Sequence, residues 1–123
     1  MHVAGVSYPE VLQTRGLYQL KPELPFVPGA EVSGVVRTAP EGAHVSVGDR
    51  VVAFPGLGGY GEVVAASTET VFRLPDEVSF QAGAALPMNY LTVHFALVRR
   101  GRLQPGETVL VHGAAGGVGT LAV

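Results

Sequence analysis

Residues 108–119 read Thr-Val-Leu-Val-His-Gly-Ala-Ala-Gly-Gly-Val-Gly, and no other stretch of the chain restricts the fold as tightly. Val109, Leu110, Val111 and His112 form a run dominated by aliphatic, β-branched types, which predicts a short buried strand. A turn of small residues follows, and Thr120-Leu-Ala-Val123 can begin a helix. Strand, glycine turn and helix start, in that order, give the local geometry of a dinucleotide-binding crossover. Gly116 lets the backbone approach a pyrophosphate, and Gly119 allows the new helix to pack tightly on the strand. The helix N-terminus then offers unpaired N–H groups and a partial positive charge. The match is incomplete. A strict GxGxxG has glycine at 114, where this chain has Ala114, and the acidic residue or arginine that reads the ribose lies about 20 residues further on, past Val123. A glycine-rich turn before an ordinary helix accounts for the same residues.

A lone strand, turn and half-helix cannot make a parallel sheet without pairing strands and covering helices. The chain also starts inside what reads as a strand. The expectation is therefore a fragment of a longer enzyme, unable to turn over by itself. Hydrophobic residues make up 47% and charged ones 15%, against about 25% charged in soluble domains. Such a chain can bury a core and has apolar surface to spare. A formal net charge of −2 gives no basic footprint for nucleic acid. The absence of cysteine excludes disulfides and thiolate metal sites. No run of roughly 18 apolar residues suggests a membrane helix, and the N-terminus lacks the basic region of a signal peptide, so a cytoplasmic location is expected.

Taken in order, residues 1–6 read as the end of a strand. Ser7 can cap a short helix, with Pro9 and Glu10 in its first turn and an end near Gly16. Residues 21–25 form an extended, proline-bracketed loop. Strands are expected at 32–38, 47–54, 60–66 and 70–74, separated by glycine and proline turns, as in an antiparallel barrel or sandwich. Residues 76–79 can cap a helix carrying Ala82, Ala84, Ala85 and Leu86. Pro87 breaks it and opens a second, from about Met88 to Arg100, apolar on most sides. Arg99, Arg100 and Arg102 suit its C-terminal end as solvated charges.

The turn Pro28-Gly-Ala-Glu31, the run Val47-Gly-Asp-Arg-Val51, Leu86-Pro87 with Leu91-Thr92, and residues 104–119 occur in one line. Together they resemble the medium-chain dehydrogenase/reductase superfamily, and within it the zinc-free quinone oxidoreductase (zeta-crystallin-like) branch, across essentially the whole chain. The resemblance implies an incomplete chaperonin-10 (GroES)-like antiparallel β-barrel as substrate domain, residues 1–78, with its first strands missing. Residues 79–123 would then supply the linking helices and the first helix and βα turn of a Rossmann α/β domain. It further implies NADP(H) as hydride donor, a quinone or other α,β-unsaturated carbonyl as small-molecule substrate, and a homodimer in the full-length protein. An enoyl-thioester reductase of the same superfamily and a non-catalytic GroES-like binding module are the alternatives.

The same resemblance assigns roles to residues. Ala115, Gly116, Gly117, Val118 and Gly119 would hold the pyrophosphate, and Asn89 and Thr92 would lie beside the nicotinamide and its ribose. Helix packing is an equally good role for Asn89. Ser7 stands where these reductases often carry asparagine, and Leu12 replaces a frequent tyrosine; Ser7 and Tyr8 are the candidate substrate-pocket residues. The places that hold zinc ligands in metal-dependent members carry Ser7, Ala30 and roughly Met88, none a strong ligand, so no metal is expected. His2, His44, His94 and His112 share no ligand-like spacing. No catalytic acid or base stands out, and Glu31 reads as a buried, hydrogen-bonded carboxylate with a structural role.

Overall fold

The computed structural model describes residues 1–123, which divide into two compact units, Met1–Pro87 and Met88–Val123. In the first, four strands form one antiparallel sheet in the order β1 (Val3–Ala4), β2 (Val32–Val35), β3 (Arg50–Ala53) and β4 (Val71–Arg73). The sheet does not close. Its register places Val32 opposite Ala53, and Ala53 opposite Val71. That alternation turns Val32, Val51, Ala53 and Val71 to one face, where they form the core with Val45. Met1, Ala4, Val36, Val64 and Ala66 pack on its margin.

Helix α1 (Tyr8–Thr14) starts where Ser7 leaves the extended conformation, with Pro9 in its first turn, and ends with Gly16 at positive φ. After β4, Ser79 caps α2 (Phe80–Ala84) by accepting the N–H of Ala82 at 3.1 Å. Gly83 lies against the side chain of Leu74, where a Cβ would stand 2.9 Å from its Cδ1. The hydroxyl of Ser33, only 1% exposed, donates to the carbonyl of Phe80 at 2.6 Å and ties α2 to the sheet. The Phe80 ring is sandwiched between His2, stacked at 4.5 Å, and the guanidinium of Arg50 at 4.7 Å.

The strands expected at 32–38, 47–54 and 70–74 occur with shorter bounds. The one expected at 60–66 does not form: these residues are turn and irregular backbone. They keep the alternation, with Val64 and Ala66 against the core and Val63 exposed, and the Glu62 carbonyl accepts the amino group of Met1 at 2.9 Å, but no ladder forms around that contact.

The second unit contains the remainder of α3 (Pro87–His94), a π-helical continuation over Phe95–Arg100, and α4 (Gly117–Ala122). The π turn is visible in the Gly101 N–H donating to the carbonyl of Ala96, five residues back, at 2.7 Å. Arg102, at φ 52°, sits in the left-handed region that ends the helix. The strand expected over 109–112 is absent. Leu110 is 79% exposed and Val109 40%, because no neighbouring strand takes up their backbone N–H and C=O groups. The helix expected from Thr120 starts earlier, at Gly117.

Candidate functional site

Two groups of predicted residues come together, one in each unit. In the first, Ser7 precedes α1 and is held at both ends. Its N–H donates to Oε2 of Glu10 at 3.0 Å, and its hydroxyl donates to Oε1 of Glu31 at 2.7 Å. The other Glu10 oxygen accepts the N–H of Ala30 at 3.1 Å. Glu10 therefore bridges the start of α1 to the turn over residues 28–31. Glu10 and Glu31 are both buried, at 4% and 2% exposure. Gly5 makes room for the second: a Cβ there would lie 2.5 Å from the Glu31 carboxylate and 2.6 Å from the Ala84 carbonyl oxygen. Tyr8, the other expected pocket residue, is 72% exposed.

Sequence reasoning anticipated a buried, hydrogen-bonded Glu31 and missed Glu10. The spacing Ser7-x-x-Glu10, that of a capping box, was the available signal. It also missed Tyr60, whose ring packs on Gly29. Burial, and after it the charges of Glu10 and Glu31, push the Tyr60 phenol above its usual 10.0. The unfolded phenol then loses its proton at lower pH than the folded one. The stability this group contributes is full below about pH 10 and lost as pH rises through the folded value. Wild-type protein should therefore unfold at less urea above pH 10, and Tyr60→Phe should flatten that alkaline limb. Equal slopes in the two proteins would remove Tyr60 as its source.

In the second unit, Gly116 is the N-cap of α4 and has no side chain to offer, so no side-chain cap occupies the N–H groups of the first turn. Gly116 N–H donates to the carbonyl of Gly113 at 3.0 Å, closing the turn over Gly113–Gly116. Gly119 is buried against that turn: a Cβ would overlap the Gly113 carbonyl oxygen and lie 2.6 Å from Ala114 Cα. It thus packs the helix on the turn, where a strand was expected as its neighbour. Asn89 reaches the same place, since a Cβ on Gly117 would meet its Nδ2 at 2.8 Å. Thr92 lies on the same helix as Asn89 but spends its hydroxyl on the Met88 carbonyl at 2.6 Å. Ala115 and Val118 are exposed. The arrangement is a capless helix start flanked by one side-chain amide, a shape that suits a phosphate-bearing ligand.

The histidines are engaged structurally where contacts are seen. His44 Nε2 lies 2.8 Å from the Val71 carbonyl, and His2 stacks on Phe80. No three His, Cys, Asp or Glu side chains converge in a way that could hold a metal ion.

Residues 1–76 match the model of the alcohol dehydrogenase GroES-like domain. The chain belongs to that family. It is 40% identical over 124 residues to quinone oxidoreductase-like protein 2 of Bos taurus, covering all of this chain and 36% of the relative. It is likewise 40% identical to the quinone oxidoreductase of Homo sapiens, covering 99% of this chain and 38% of that protein. Among solved structures, the quinone oxidoreductase of Thermus thermophilus, studied also in complex with NADPH, is 37% identical with a TM-score of 0.82 over 97% of this chain and 37% of its own. The chain thus spans little more than a third of the length of these relatives. No helix is long and apolar enough to cross a membrane.

Proposed function

We propose that the whole protein is an NADPH-dependent, zinc-independent oxidoreductase that reduces quinones or related α,β-unsaturated carbonyls by hydride transfer. In this reading, residues 1–78 belong to the substrate domain and residues 79–123 open the cofactor domain. The observation that carries the reading is the capless start of α4 beside Asn89, in a chain similar over 97% of its length to a quinone oxidoreductase known in complex with NADPH.

The chemistry is the cofactor's: when bound, NADPH supplies a hydride to the electron-poor carbon of the substrate. The chain's residues bind and orient. The N–H groups of Gly117, Val118 and Gly119 meet the pyrophosphate, with Ala115 and Gly116 giving the backbone room to approach. Asn89 and Thr92 contact the nicotinamide end, while Ser7 and Tyr8 line the substrate pocket. The residue types at positions 7, 30 and 88 support a site without zinc. A homodimer in the cytoplasm completes the proposal.

Purified whole protein should oxidise NADPH when given 1,4-benzoquinone and carry no stoichiometric zinc by elemental analysis. One tightly held equivalent of zinc would overturn the metal assignment. Faster turnover of a crotonyl thioester than of benzoquinone would transfer the substrate assignment to enoyl thioesters. Absence of NADPH binding would leave a binding module.

A further inference from the structure

The contact between Ser7 and Glu31 decides which way the serine hydroxyl faces. A carboxylate offers only lone pairs, so the serine proton lies along the 2.7 Å line between Oγ and Oε1. The same oxygen also faces the Glu10 N–H in the capping box at the start of α1, so what Ser7 has left to give a ligand is one acceptor site and no donor. Neither partner can readily turn away. Glu31 is 2% exposed and fills the space that a side chain on Gly5 would need. Its main chain is fixed as well, because its carbonyl accepts the N–H of Gly5 at 2.9 Å. The backbone of Ser7 is pinned by Glu10, whose second oxygen holds Ala30, the residue before Glu31. Donor and acceptor therefore stand on one frame.

We propose that Glu31 is a positioning residue that makes Ser7 a hydrogen-bond acceptor toward the ligand, so that this wall of the pocket selects a ligand bearing a hydroxyl or N–H donor over one bearing a bare carbonyl. The inference rests on the reading above in which Ser7 lines the substrate pocket. It goes beyond that reading by fixing the polarity of recognition. For a quinone reductase it means that Ser7 favours the reduced product, whose phenolic hydroxyl can donate, over the quinone, which can only accept.

The test measures, in the whole protein, KM for 1,4-benzoquinone and the inhibition constant of 1,4-hydroquinone. One neutral hydrogen bond corresponds to about fivefold in affinity. The ratio of the hydroquinone constant to the quinone KM should rise about fivefold in Ser7→Ala. It should rise also in Glu31→Gln, where the amide can donate to Ser7 and release its proton toward the ligand. A ratio that stays put or falls in Ser7→Ala overturns the inference, as does a rise in Ser7→Ala with no change in a folded Glu31→Gln. Proton NMR of the 123-residue chain supplies a readout that needs no turnover. A slowly exchanging Ser7 hydroxyl resonance is expected, absent in Ser7→Ala and moved upfield in Glu31→Gln. Should Glu31→Gln fail to fold, Glu31→Asp, which keeps the charge and shortens the reach, takes its place. If the protein reduces no quinone but the hydroxyl resonance is present, the functional reading fails and the polarity of Ser7 stands. If quinone is reduced and the resonance is missing, the reverse holds.

Discussion

Glu10→Ala is expected to destabilise the first unit by about 2–3 kcal/mol, one of the two largest effects that this structure implies. The carboxylate accepts the N–H of Ser7 with one oxygen and the N–H of Ala30 with the other. Truncation removes both acceptors at once. Ala30 is only 7% exposed, so its stranded N–H bears most of the desolvation cost, about 1–3 kcal/mol for a buried donor. Ser7 is half-buried, and water can replace part of what it loses, which keeps its share nearer 1 kcal/mol. Alanine's better helix propensity returns a few tenths. Glu10→Gln keeps one acceptor oxygen and presents an amide donor to the other N–H, so about half the loss is expected. Urea denaturation followed by far-UV circular dichroism reads the difference. A loss under about 0.5 kcal/mol in Glu10→Ala would mean that α1 and the turn over residues 28–31 are joined by something other than this carboxylate.

The parts of the fold legible in the sequence are those whose partners are also in the sequence. Val32, Val51, Ala53 and Val71 share one face and find one another across three strands, while Ser33 and Val52 are buried on the other, so short valine-rich runs between glycine and proline turns were enough to locate them. Ser7 and Ser79 mark helix starts through local chemistry and were equally visible. Where the pattern needs a neighbour that the chain does not supply, it misleads. Val109 to His112 have the composition of a buried strand, yet remain largely exposed and unladdered, because strand formation is decided by cross-strand pairing rather than by propensity. Residues 60–66 show the same conflict in milder form. The Ser7–Glu31–Glu10 cluster was half legible. Glu31 could be read as a buried acceptor from its place in the turn, but that its partner is Ser7, 24 residues earlier, is a tertiary fact that no local spacing encodes.

Gly119→Ala should cost the whole protein more than thirtyfold in NADPH affinity, whereas Gly117→Ala should cost about fivefold. The contrast follows from what each new methyl would strike. At Gly119 the obstacle is main chain: the Gly113 carbonyl oxygen and the Ala114 Cα. That carbonyl is committed to the N–H of Gly116, and the Thr120 hydroxyl lies 2.9 Å from the Gly116 carbonyl and 3.2 Å from that of Ala114, on the same turn. The turn cannot yield without opening the start of α4, the element that presents its N–H groups to the phosphates. A factor of thirty corresponds to about 2 kcal/mol, within the range seen for overpacking a tight site. At Gly117 the obstacle is the Asn89 amide, a side-chain terminus that rotates aside, so the loss is confined to that group's own contact. Titration of NADPH fluorescence measures both variants, and the urea midpoint of the first unit serves as control, since neither substitution touches the Glu10 and Glu31 network. Two equal losses would mean that the turn acts only through Asn89. A Gly119→Ala protein that binds NADPH like wild type would remove the glycine turn from the cofactor site, because the helix start would then be dispensable for holding the phosphates.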